Sequence, residues 1–149
     1  MNSCIVIATK EELPLVSLLA LDHQLPVIIT GVGATNVIYA LKDLPKDTMI
    51  YNIGYAGCPD VPIGTIVEIG KAKLFHKVDY NEQTFDIGDG MTCYTTTDFV
   101  TDGASPGCVY DMELAIICAL GFRYVKSCKV ISDNCNYSQY KKTIKCLKK

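Results

Sequence analysis

The chain has 149 residues, 49% hydrophobic and 20% charged, a size that suits one domain over residues 1–149 with a substantial core. Its formal net charge is -2, and its thirteen lysines and single arginine, Arg123, are scattered apart from the tail KKTIKCLKK, which excludes a nucleic-acid footprint. No apolar run approaches the roughly 20 residues that span a bilayer, and the opening MNSCIVIATKEE carries no charged leader, so the expectation is a cytoplasmic protein without a membrane or nucleic-acid partner.

In chain order, Ser3 to Ala8 predicts a strand and the apolar-periodic stretch Leu13 to Leu21 a helix. Pro26 to Ile29 reads as a second strand, Thr30-Gly31-Val32-Gly33 as a glycine turn and Asn36 to Leu41 as a helix. A third strand over Thr48 to Ile53 leads into a second glycine turn, Gly54-Tyr55-Ala56-Gly57, and a fourth strand covers Gly64 to Phe75. Lys77 to Met91 is polar and glycine-bearing, as loops and hairpins are. Tyr110 to Leu120 predicts a nearly all-apolar helix, Tyr124 to Ile131 a strand and Ser138 to Lys148 a closing helix, whose lysine-rich end complements the helix dipole.

Strands and helices in this alternation imply an α/β fold, a three-layer αβα arrangement around a mixed central sheet. Ligands of such sheets bind beyond the carboxyl ends of the strands. Eight cysteines form no CxxC pair, and His23 and His76 stand far apart, so no metal site is expected and the thiols read as small buried hydrophobes. His76 reads as a satisfied polar residue.

Three carboxylates carry the chemistry. Glu113 is the only charge between Met112 and Leu120, so it is either a buried acid with a partner or a first-turn acid favoured by the helix dipole. Asp133 follows a strand through Ser132, where it is either a ligand-facing acid or a turn aspartate. Glu12 sits three residues after Thr9, the capping-box spacing, which accounts for it without any function. The two glycine turns are fit to bring backbone N–H groups to an anion or hydroxyl.

Taken in order, Ile5-Val6-Ile7-Ala8 with Glu11-Glu12, Thr30 to Asn36, Asn52 to Gly57, Gly64-Thr65-Ile66-Val67, Phe75 to Asp79, Thr97 to Val100, Asp111-Met112-Glu113 and Val130 to Asp133 resemble the nucleoside phosphorylase superfamily, and within it the methylthioadenosine/S-adenosylhomocysteine nucleosidases. The resemblance implies a phosphorylase/hydrolase-like fold and cleavage of the N-glycosidic bond of a purine nucleoside. On that resemblance Asp133 protonates the purine at N7, Glu12 orders the attacking water, and Glu113 and Met112 hold the ribose. Phe99 and Val100 contact the base, and Gly31, Gly33, Tyr55, Ala56 and Gly57 line the site. A sugar of oxocarbenium character is served by a carboxylate beside the ribose and an acid at the leaving group. Such an acid must have its pKa raised by its surroundings.

Tyr55 stands where the family usually has a small hydroxyl residue, beside the nucleophile position. The family's phosphorylases clamp phosphate with arginines, and Arg123 opens a strand far from the matching loops, which favours hydrolysis without a cofactor over phosphorolysis with inorganic phosphate as co-substrate. The stretch from His76 to Phe99 is shorter than in the family, so the cleft lacks part of its wall. A homo-oligomer would supply that wall, and a nucleoside-binding module without efficient catalysis is the remaining reading.

Overall fold

The first strand already requires two packing layers. Of its buried residues, Cys4 and Val6 enter one apolar cluster, and Ile5 and Ile7 the other. That period of two leaves both faces of the strand to be covered. A computed structural model describes residues 2–19, 25–75, 83–101 and 103–147.

The elements in order are β1 (Ser3–Ile7), a 3-10 turn (Lys10–Glu12), α1 (Leu13–Leu19), β2 (Val27–Ile29), α2 (Ala34–Leu41), β3 (Met49–Gly57), β4 (Ile66–Leu74), β5 (Thr84–Asp86), β6 (Met91–Thr95), β7 (Cys108–Asp111), α3 (Leu114–Ala119), β8 (Tyr124–Asp133) and α4 (Tyr137–Leu147). β2, β1, β3 and β8 run parallel side by side. β8 then meets β4 antiparallel through Ile66–Glu68, and β4 carries β5 antiparallel and β6 parallel. β7 lies parallel to β6 and returns to β3 where Gly57 pairs Tyr110, so the mixed sheet closes into a ring.

α2 and α3 cover one face with Val37, Leu41, Leu114 and Ile117, over Val6, Ile50 and Ile131. α1 covers the other with Leu15, over Ile5, Ile7, Ile53 and Val130. The expected three-layer arrangement around a mixed sheet is therefore the arrangement observed. Among the described residues no helix is long and apolar enough to cross a membrane, and no group of three or more His, Cys, Asp and Glu could hold a metal ion. Cys4, Cys58, Cys93, Cys118 and Cys135 are buried as free thiols, and burial pushes Cys118 up to about 12 and Cys135 to about 11, which keeps them protonated.

Two expectations need correction. Tyr110 to Leu120 is not one helix: Val109 to Asp111 pair with β6 as a strand, and the helix begins only at Leu114. Gly54 to Gly57 is not a turn but the last stretch of β3, paired with β8 as far as Asp133. The polar segment before Met91, expected as loop or hairpin, includes β5, the second arm of a hairpin with β4, and β6 follows it. His23, His76 and the predicted helix ends at Leu21 and Lys148 lie outside the described residues.

Candidate active site

Glu12 caps its own helix and also reaches across to the sheet. Its Oε1 accepts from the backbone N–H groups of Ala8 at 2.8 Å and Thr9 at 3.1 Å, while its Oε2 accepts from that of Tyr55 at 2.7 Å. The capping box predicted by Thr9-x-x-Glu12 is present. Glycine at position 54 permits this approach, because a Cβ there would lie 2.5 Å from Glu12 Oε2 and displace the carboxylate. Glu12 is 7% exposed, and its carboxylate is held at the carboxyl end of β3 by three amide donors.

Glu113 stands at the N-cap of α3 rather than inside a helix. Its Oε2 accepts from the Gly33 N–H at 2.9 Å, a link that joins the first glycine turn to the start of α3. That turn is real: Gly31 and Gly33 have φ of 91° and 90°, a backbone that favours glycine. The Gly33 amide expected to meet a ligand is therefore already committed to Glu113.

Beneath Glu113 lies a charge pair that the sequence reading did not single out. Lys129 Nζ sits 3.1 Å from Asp111 Oδ2, with the two side chains 2% and 1% exposed. Asp111 Oδ2 also accepts from the Leu114 N–H at 2.8 Å, and its Oδ1 accepts from the Thr95 hydroxyl at 2.6 Å. The Thr95 oxygen in turn accepts from the Ala115 N–H at 2.8 Å, so the start of α3 is bound to β6 and β7 by side chains. Burial raises the Glu113 carboxyl to about 7, helped by the charges of Asp111 and Glu12, while Lys129 and the Gly33 amide hold it down.

A stability prediction follows for Glu113, whose folded pKa of about 7 lies above its ordinary 4.5. Between those values the folded state keeps a proton that the unfolded chain has released, so stability falls as pH rises through the window. At roughly 1.4 kcal/mol per unit the full effect is at most about 3 kcal/mol, less whatever solvent screening removes. Urea unfolding at about pH 4 and pH 8 should show this decline in wild type and a flatter profile in Glu113→Gln; equal slopes would contradict the assignment.

Asp133 ends β8. Its Oδ1 accepts from the Cys135 N–H at 2.8 Å and the Asn136 N–H at 3.3 Å, and its Oδ2 accepts from the Ser132 hydroxyl at 2.6 Å. Burial pushes its pKa up, opposed by those same donors. Gly57 leaves room for it, since a Cβ there would sit 2.8 Å from Asp133 Oδ1. Asp133, Phe99, Val100, Met112, Gly57, Thr96 and Tyr110 line a cavity of about 30 Å³, large enough for a water molecule.

Most of the residues predicted for the site meet at this edge of the sheet. Two point elsewhere. The Ala56 methyl is buried in the core under α2 and α3, and the Tyr55 ring packs on the cluster under α1, so its backbone amide is what meets Glu12. Arg123 precedes the first residue of β8, about 30 Å along the strand from Asp133 at the usual rise per residue.

The class these features define is an α/β protein with a closed mixed sheet between helical layers and acids gathered at the carboxyl ends of its strands. In particular, the chain has the fold of methylthioadenosine/S-adenosylhomocysteine nucleosidases. It is similar to the S-adenosylhomocysteine nucleosidase of Streptococcus pyogenes in complex with 5-methylthiotubericidin, at 20% identity and a TM-score of 0.77, covering 99% of this chain and 92% of that one. The MTAN protein of Chlamydia trachomatis, a D161N variant, matches at 18% identity and a TM-score of 0.76, covering 99% and 91%. The nucleosidase of S. pneumoniae with a transition-state inhibitor matches at 18% identity and a TM-score of 0.75, covering 97% and 92%. No family model matches the sequence, and no curated protein matches it.

Proposed function

We propose that the protein hydrolyses the N-glycosidic bond of a purine nucleoside. The observation that carries this reading is the gathering of Glu12, Glu113 and Asp133 at one sheet edge, the last two with raised pKa values. In the reaction, water attacks the anomeric carbon, the bond to the base nitrogen breaks, and the leaving base takes a proton at N7. Asp133 is the acid that supplies this proton, because burial favours its protonated form. Glu12 orders the water. Glu113 and Met112 hold the ribose, Phe99 and Val100 wall the base, and Gly31, Gly33 and Gly57 shape the surrounding backbone.

The distance of Arg123 from this edge supports hydrolysis without a cofactor over phosphorolysis. A second reading, a binding module of low turnover, draws on the narrowness of the cavity beside Asp133 and Phe99. The protein is further proposed to act in the cytoplasm as a homo-oligomer that completes the cleft wall.

The test is release of free base from methylthioadenosine, adenosine and inosine, with and without inorganic phosphate. Phosphate-independent release is expected. Release only with phosphate, as ribose 1-phosphate, selects the phosphorylase. Stabilisation against melting without turnover selects the binding module.

A further inference from the structure

A second cavity, of about 640 Å³, opens on the α1 face of the sheet and shares no lining residue with the one beside Asp133. Its floor follows from strand registry. Side chains alternate between the two faces of a strand, and paired residues of adjacent strands point the same way. Ile5, Tyr51 and Lys126 therefore make one row across β1, β3 and β8. Ile53, Cys128 and Glu68 make the next, across β3, β8 and β4. Lys126 stands well before Asp133 on β8, about 23 Å at the usual rise per residue, so this cavity belongs to the amino-terminal half of the strand.

The volume falls within the roughly 300–1,000 Å³ of small-molecule sites. Ile5 and Ile53, both buried, supply an apolar base that Leu19 extends from the end of α1. Tyr51 adds an aromatic surface. Its hydroxyl donates to Met49 Sδ at 2.9 Å, which commits the polar end within β3 and leaves the ring to the cavity.

Charge enters from the side of β4 and β8. Lys126 Nζ donates to the Ile87 carbonyl at 2.9 Å, which anchors the ammonium beside the turn that joins β5 to β6. Gly88 in that turn makes room for it, since a Cβ there would sit 3.1 Å from Nζ. The ammonium keeps further hydrogens for another acceptor. The carboxylates of Glu68 and Asp89 also line the cavity, and among the described residues neither makes a hydrogen bond or an ion pair. One cation with hydrogens to donate and two acceptor anions thus surround an apolar floor.

A ligand that answers all of these groups carries both charges and an uncharged body. A carboxylic acid alone brings its charge against Glu68 and Asp89, and an amine alone sets a like charge against Lys126. We propose that this cavity binds an apolar α-amino acid as its zwitterion, the carboxylate on Lys126, the ammonium on Glu68 and Asp89, and the side chain over Ile5, Tyr51 and Ile53. The site is separate from the one in which nucleoside cleavage is proposed and does not rest on that reading.

The experiment is calorimetric titration with leucine, methionine and phenylalanine, each alongside its amide and its N-acetyl derivative, which lack one of the two charges. One-to-one binding of at least one amino acid is expected, with both of its derivatives weaker by about 10- to 100-fold. Lys126→Met should weaken the amino acid by a similar factor and leave its amide unchanged. Glu68→Gln should weaken the amino acid and leave its N-acetyl derivative unchanged. Both side chains belong to exposed residues, and an unchanged melting temperature verifies that the variants fold. An amino acid bound no more tightly than its amide, or equally well by both variants, overturns the assignment, as does a wild type that binds none of the three. Each of these failures leaves the nucleosidase reading intact, since that is tested by release of free base.

Discussion

Asp133→Asn is expected to lower purine nucleoside turnover by about a thousandfold, the middle of what a positioned general acid contributes. Stability should change little. The carbonyl oxygen of asparagine can still accept from the Cys135 and Asn136 amides, and the Ser132 hydroxyl can rotate to accept from the new amide nitrogen. The pH profile separates chemistry from folding. Because wild type needs protonated Asp133 and burial raises its pKa, kcat should fall as pH rises through that pKa, and the fall should vanish in the variant. A variant that retains more than a tenth of wild-type kcat, with the same profile, would reduce Asp133 to the turn aspartate that its bonds to Cys135 and Asn136 also describe.

Lys129→Met should cost about 3–5 kcal/mol of folding free energy in urea titrations, since it leaves Asp111 charged and unpaired in the interior. Adding Asp111→Asn should return much of that loss by removing the orphaned charge, its carbonyl oxygen still accepting from the Leu114 N–H and its amide donating to a rotated Thr95 hydroxyl. A single-variant loss under about 1 kcal/mol would mean that water reaches the pair. Glu113 should respond as well. Lys129 holds its pKa down, so the lysine variant should titrate Glu113 above about 7.

The parallel strands and α2 were legible because short isoleucine- and valine-rich runs punctuated by glycine leave little alternative. Val109 to Asp111 misled because an apolar run before a helix has no periodicity to mark where a buried strand stops. Gly54 and Gly57 were read as turn residues when their absent side chains instead make room for Glu12 and Asp133, a reason that exists only in three dimensions. Lys129 left a readable trace. It falls in phase with Val125, Ser127 and Ile131, the inward positions of β8, and a lysine in that phase requires a buried acid. Which acid answers it could not be read, because Asp111 comes from a strand that had been read as helix.

The two bare positions on β3 also make a measuring device. Gly54 marks where Glu12 ends and Gly57 where Asp133 ends, three residues apart on one strand, a span of about 10 Å at the usual rise. That length is comparable with a purine joined to its sugar. A strand inside a closed sheet cannot stretch, so the interval between the two acids is graduated by backbone geometry rather than by the loops that carry them. Loops around this edge are therefore free to lengthen, shorten or change composition while the spacing of the two acids stays the same.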